Sequence, residues 1–352
     1  MEEYDSVSGK AHYSATLESL KASDGIIVVG SRIATDNPGV RYAMTTAARH
    51  NGAKVVYMHP LEDALLQNTV TQFVKYEVGT EEGVLALLAQ TLISGQELTK
   101  REQAFFDGLD EGYLSAETNV GDDELALLVK QFMRSKSKTL VVGSDLLAHE
   151  RAENIARLVA LIEKYSDFSI LVVPTEVNTL GVSLIADLDA DEAVDNVVGY
   201  NAKGDFVISA LGEGDLDVPA LNQQEGTVVS IDKRLLPTNV ALSFEGYTLN
   251  DLANALGVSA ENTIDYTVEL PGESGFKAIA FDDLENFYSA KGDDTRGYML
   301  SDITAARGGY TEEVAELPEF NGAVIYYVNP VLQFNAFTAK ATHIENDTHL
   351  YG

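Results

Sequence analysis

Cysteine is absent from all 352 residues. The chain therefore forms no disulfide, offers no thiolate to a metal, has no thiol nucleophile and ligates no iron–sulfur cluster through cysteine. Long apolar runs are missing too, and none approaches the roughly 20 residues that a membrane-spanning helix requires. Positive charge is scarce: 24 Lys and Arg stand against 55 Asp and Glu, for a formal net charge of −31. A field of that sign repels nucleic-acid phosphates and anionic lipid headgroups, which leaves a solvated acidic surface and basic partner subunits as the expectation. The opening Met1-Glu2-Glu3-Tyr4-Asp5 has neither the basic nor the apolar region of a secretion signal, so the expected compartment is cytoplasmic. Hydrophobic residues still make up 45%, enough to bury sizeable cores in two or three lobes.

Short catalytic signatures are equally sparse. There is no GxSxG elbow, no GxxxxGK(S/T) phosphate loop and no HExxH. The six histidines, His12, His50, His59, His149, His343 and His349, are scattered without metal-ligand spacing, and read as surface or capping residues. Asp187, Asp189 and Asp191 alternate as the opening of a calcium loop would. Glu192 sits where that loop needs glycine and Val198 where it needs the bidentate glutamate, so an acidic helix start is expected instead.

What the chain does have is a strand–glycine–helix–strand unit, twice. Ile26-Ile27-Val28-Val29-Gly30-Ser31 leads through Asn37-Pro38 into a helix from Arg41 to Arg49, which Asn51-Gly52 stops before the strand Lys54 to Met58. Leu140-Val141-Val142-Gly143-Ser144 leads into a helix from about Glu150 to Tyr165 and the strand Ile170 to Val173. Continuous apolar runs of strand length, joined through an amphipathic helix, are βαβ crossovers of a parallel sheet. A glycine turn ahead of a helix start offers bare amides and a positive helix end to a phosphate. The alternative is a tight turn packed beneath the sheet. Ser31 and Ser144 follow strand glycines as a nucleophile would, but neither is flanked by glycine on both sides, and catalysis is not expected there.

Elsewhere residues 61–136 read as mainly helical, with amphipathic stretches at 81–92 and 123–133 and a glycine-bearing connection at 94–122. Residues 206–211 and 323–328 read as strands, and 249–256 as a helix stopped by Gly257.

Four passages carry a family resemblance. They are Val29-Gly30-Ser31 through Asn37-Pro38-Gly39-Val40-Arg41 to Asn51-Gly52-Ala53-Lys54-Val55; Val173-Pro174-Thr175-Glu176-Val177-Asn178-Thr179-Leu180-Gly181; Asp217-Val218-Pro219 with Glu225-Gly226-Thr227 and Arg234; and Thr248 to Gly257. Together they resemble the molybdopterin-oxidoreductase fold and, within it, the large iron–sulfur subunit family of bacterial NADH-quinone oxidoreductase, respiratory complex I. The resemblance implies an α/β, molybdopterin-oxidoreductase-like region over 1–257, with βαβ units at 24–60 and 138–175 and a helical insertion at 61–136. It further implies an irregular acidic connection over 258–320 and the truncated start of a C-terminal β-rich domain over 321–352.

The resemblance places a vestigial pocket at Gly30, Ser31, Asn37, His59, Gly143, Ser144 and Asn178, with no catalytic residue and no metal ligand. Cofactor-binding members end the second strand in Asp-Pro, whose carboxylate holds the guanosine ribose; here the pair is His59-Pro60. The implied role is a scaffold segment that supports electron transfer from NADH to quinone in the hydrophilic arm. Its partners would be other peripheral-arm subunits at the cytoplasmic face of the inner membrane, without nucleic acid and without membrane insertion. No cofactor is expected in this chain, the iron–sulfur clusters belonging to an N-terminal region outside it. The rival readings are a fragment of an active molybdopterin oxidoreductase that binds the cofactor nucleotide, and a free-standing nucleotide-fold enzyme.

Overall fold

A computed structural model describes residues 1–174, 176–186, 195–210, 212, 214–257, 270–304, 308–320 and 322–324. The acidic run 187–191 and the C-terminal passage 329–352, with His343 and His349, lie outside the described residues, as does most of the strand expected at 323–328. The chain divides into two compact units. The first is Met1–Glu176 with the described residues from Asp302 onward, and the second is Val177–Ser301. The division falls at 176 and 302.

The first unit is an α/β layer structure around five parallel strands. These are β1 (Gly25–Val29), β2 (Lys54–Met58), β3 (Gln72–Val74), β4 (Lys138–Val142) and β5 (Phe168–Val172). Their order in the sheet is β3-β2-β1-β4-β5, and every neighbouring pair is parallel. All five residues of β1 are buried, as expected of a central strand covered on both faces.

The helices before and between these strands are α1 (Glu2–Ser8), α2 (Leu17–Ala22), α3 (Ile33–Asp36), α4 (Pro38–His50), α5 (Glu81–Leu92), α6 (Lys100–Asp107), α7 (Glu111–Thr118), α8 (Asp122–Phe132), α9 (Ser144–Leu147) and α10 (Ala152–Tyr165). α4 links β1 to β2, and α10 links β4 to β5. The chain runs outward in opposite directions from the β1–β4 pair, so right-handed crossovers place these helices on opposite faces. α4 packs with α2, whereas α10 packs with α1 and α5. The start of α4 is set locally: Asn37 Oδ1 accepts from Val40 N at 3.1 Å, and Pro38 occupies the first turn.

Three stretches differ from the expectation. Within 61–136 the short strand β3 pairs with β2. Only three residues long, with a polar Gln72, it lacks the apolar run that marks the other strands. The connection at 94–122 folds into α6 and α7, each opened by a side-chain cap, Thr99 and Asp110 respectively. The N-terminal residues and the loop after β1 contain α1 and α3, which are too short to show a periodicity. No helix among the described residues is long and apolar enough to cross a membrane.

The second unit holds two small sheets. β6 (Val198–Tyr200), β7 (Phe206–Ser209) and β8 (Leu216–Asp217) are parallel. Asp205 and Asp215 repeat one contact along them, accepting from Val197 N at 2.9 Å and Val207 N at 2.8 Å. β9 (Gly226–Val229), β10 (Arg234–Thr238) and β11 (Tyr298–Met299) form an antiparallel sheet, so the tract 258–320 contributes a strand to it. α11 (Thr179–Ile185) packs on β9, and α12 (Leu249–Ala255) opens with a Thr248/Asp251 capping box and is followed by Gly257 at φ +85°.

Two glycines of the first unit should respond oppositely to alanine. A Cβ at Gly143 would lie 2.0 Å from the Gly30 carbonyl oxygen, so Gly143→Ala is expected to cost about 3 kcal/mol or more in urea denaturation. At Gly112 in α7 the nearest atom to a Cβ is Asp110 Oδ1 at 3.5 Å, and Gly112→Ala should be no less stable than the parent.

Glu102 ties stability to pH. Burial raises its carboxyl, but bonds from Lys164 Nζ (2.8 Å), Thr99 N (2.9 Å) and Tyr165 Oη (2.7 Å) outweigh that and bring it down to about 2. Such a depressed acid contributes stability above its ordinary value of 4.5, and that contribution is lost as pH falls toward about 2. Glu102→Gln should therefore be about 1–2 kcal/mol less stable at pH 7 once solvent screening is allowed for, with the gap narrowing as pH falls from 4.5 toward about 2 in parallel denaturation curves.

Candidate functional site

Strand order reverses between β1 and β4, and the crevice outside the carboxyl ends at such a point is where open α/β sheets take their ligands. Both strands end there in glycine. Gly30 has φ +68°, and a Cβ there would lie 2.8 Å from the Leu146 side chain, while a Cβ at Gly143 would lie 2.0 Å from the Gly30 carbonyl oxygen. Three main-chain donors of these turns are already engaged. Gly30 N donates to Met58 O at 3.2 Å, Gly143 N to Val29 O at 2.8 Å, and Asp145 N to Gly30 O at 2.9 Å. The turns stitch three strand ends together. That arrangement matches tight packing beneath the sheet and leaves these amides unable to cradle an anion.

Two of the expected site side chains are buried behind these turns. Ser31 is fully buried; its Oγ donates to Asp36 Oδ2 at 2.7 Å, and its carbonyl accepts from Tyr57 Oη at 3.2 Å. A serine hydroxyl committed to a carboxylate, without a histidine as base, is not an activated nucleophile. His59 is also fully buried and stacks on Tyr57, with ring centroids 5.4 Å apart and planes 9° apart. Its Nδ1 lies 2.9 Å from both the amide nitrogen and the carbonyl oxygen of Leu61, and its Nε2 lies 3.5 Å from Asp145 Oδ2.

Of the other expected residues, Ser144 opens the short helix α9 and Asn37 is spent capping α4. Asn178 belongs to the second unit, where it takes φ +64° and accepts from Val229 N at 2.8 Å. The structure thus gathers Gly30, Ser31, His59, Gly143 and Ser144 at one end of the sheet, and gives Asn37 and Asn178 structural work.

The residues that sequence reasoning missed here are acidic. Burial pushes the Asp36 carboxyl up and Asp145 adds to the rise, while hydrogen bonds from Ser31 and Thr35 oppose it. Burial also raises the Tyr57 phenol, with Asp63, Asp36 and Asp145 reinforcing the rise and Arg32 countering it. At the start of α5, burial raises Glu81, and Asp145 adds to this against His149, whose Nε2 is 3.6 Å away. Asp36 and Asp145 lie within the very glycine-turn segments the sequence singled out, and that position was the available signal. A crevice lined by carboxylates disfavours phosphate and pyrophosphate groups. Among the described residues no group of three or more His, Asp or Glu is arranged to hold a metal ion.

No model of a known protein family matches the chain, and no curated protein matches it.

Two substitutions test the electrostatics. An acid whose folded value is raised is destabilising when ionised, and that penalty is absent below its ordinary value, 3.8 for Asp36. Asp36→Asn, which keeps an oxygen for Ser31, should be more stable than the parent at pH 7, with the advantage fading as pH falls toward 4. His59→Asp places a second carboxylate in a fully buried position beside Asp145. It is expected to lose about 3–5 kcal/mol in thermal or urea unfolding and to gain no nucleotide affinity.

Proposed function

We propose that this chain is a non-catalytic scaffold segment of the large iron–sulfur subunit type, in the peripheral arm of an NADH-quinone oxidoreductase on the cytoplasmic face of the membrane. The observation that carries the reading is the end of β2. Where the resemblance puts the carboxylate that holds the guanosine ribose, the chain has His59, buried, stacked on Tyr57 and bonded to the main chain of Leu61. The neighbouring glycine turns spend their amides on the sheet. A doubly wound five-stranded sheet whose switch point carries a buried histidine and carboxylates keeps the strand order of a nucleotide-binding fold without the ribose-binding acid at the end of β2.

The molybdopterin-oxidoreductase-like assignment of the fold is part of this proposal, and so are the partners. An acidic chain of net charge −31 suits basic faces on neighbouring subunits, with association weakened by salt. Redox centres would lie in the other parts of the assembly, iron–sulfur clusters in the N-terminal region of the longer polypeptide among them.

The test is isolation without denaturation from the native source. Expected are salt-sensitive co-isolation with peripheral-arm subunits, no stoichiometric molybdenum and no guanine nucleotide released on acid treatment. Stoichiometric molybdenum with guanine nucleotide would overturn the scaffold reading in favour of an active molybdopterin oxidoreductase.

A further inference from the structure

Residues 308–320 carry no helix or strand of their own, yet helices α5, α7 and α10 of the first unit hold them by their main chain. Asn154 makes a two-point contact with Glu312: its Nδ2 donates to the carbonyl at 3.0 Å, and its Oδ1 accepts from the amide at 2.7 Å. Arg151 Nη2 donates to Glu313 O at 3.1 Å. Glu82 Oε2 accepts from Ala315 N at 3.0 Å, and Tyr113 Oη accepts from Leu317 N at 3.0 Å. These bonds run between side chains of the helices and backbone of the tract, so they read chain direction and spacing and not residue identity.

The reading groups hold one another in place. Glu82 is 1% exposed, and its Oε1 accepts from Asn154 Nδ2 at 2.7 Å and Arg151 Nε at 3.2 Å. A buried carboxylate fixed between an amide and a guanidinium keeps its second oxygen aimed at the tract without rotamer loss on binding.

Two side chains of the tract add selectivity. Leu317, 5% exposed, inserts over Gly83, where a Cβ would lie 2.8 Å from the leucine, with Leu114 and Thr118 beside it. The Glu312 carboxylate meets Arg157 Nη1 at 2.7 Å and Arg151 Nη1 at 3.3 Å. Main-chain hydrogen bonds, one apolar anchor and one acidic anchor are the elements of peptide recognition.

We propose that the α5–α7–α10 face is a peptide-binding groove, that residues 310–318 are its tethered ligand, and that it accepts in their place an acidic, leucine-anchored segment of another polypeptide. Covalent attachment gives the resident tract an effective concentration on the order of millimolar, so an outside segment enters only when the resident one is weakened. This inference stands independently of the scaffold reading.

The experiment uses the full chain and a fluorescein-labelled peptide with the sequence of residues 308–320. Glu312→Lys with Leu317→Asp disables the tethered tract. That variant is expected to bind the peptide at least about tenfold more tightly than the parent, and adding Asn154→Ala should reverse the gain by about tenfold. Hydrogen exchange on the same proteins reports folding: amides of Glu312, Ala315 and Leu317 should lose protection in the tract variant while those of β1 and β4 keep theirs. The proposal is overturned if the variant keeps β1 and β4 protected but binds peptide no better than the parent. It is equally overturned if β1 and β4 lose protection together with the tract, since the tract is then an inseparable part of the core.

Discussion

The carbonyl of Gly30 occupies the space that any side chain at position 143 would fill, and the first unit is organised around that contact. It allows β1 and β4 to pair to their last residues, Val29 with Val142, and lets Gly143 N and Asp145 N reach across to Val29 and Gly30. The two βαβ halves are thereby joined at their carboxyl ends as tightly as along their length. A nucleotide-binding sheet of the same order leaves the amides at its switch point facing outward, where a pyrophosphate completes them. Here the fold itself completes the amides of Gly30, Gly143 and Asp145 through backbone geometry, independent of which side chains surround the crevice.

Charge is handled differently on the helical side. With few basic residues available, several buried carboxylates share polar partners drawn from distant parts of the chain. Glu163 on α10 accepts from Tyr4 on α1 and pairs with Lys10 at 3.2 Å; Glu102 on α6 pairs with Lys164 at the end of α10; Glu82 on α5 is held by Asn154 and Arg151. Each contact fastens a separate helix to α10. Pairing and hydrogen bonding offset the desolvation that a buried carboxylate carries. Asp36 is met instead by the neutral hydroxyls of Ser31 and Thr35, which soften the effect of burial without cancelling it.

Much of the central sheet was legible because its strands announce themselves. β1, β2, β4 and β5 are apolar runs bounded by glycine, asparagine or proline, and α4 was expected over Arg41 to Arg49 but begins three residues earlier, at the Pro38 that follows the Asn37 cap. β3 was hidden because its three residues depend on pairing with β2 and on Gln72, whose amide donates to Glu124 O at 2.9 Å, a bond made across tertiary structure. At the crevice the glycines were visible for their turn geometry, but the carboxylates were not: nothing in the spacing of Asp36 and Asp145 says that the long stretch between them folds back to bring both close to Tyr57. The tract 308–320 was illegible for the same reason. Its bonds come from Glu82, Tyr113 and Asn154, all far upstream, and its own composition is that of a solvated acidic loop.

The borders of the five-stranded sheet carry a consequence of their own. Beyond β5 the chain lays its own residues alongside: Ala15 N donates to Ile170 O at 2.8 Å, and Ile170 N donates to Ser14 Oγ at 3.2 Å. At the other border β3 is only three residues long, and Gln72 and Thr71 are tied to Gln131 of α8. The β5 border is thus partly taken up by the chain's own residues, and the β3 border presents a strand of only three residues. A strand added from elsewhere would have to displace residues 14–15 at one border, or find only three residues to pair with at the other.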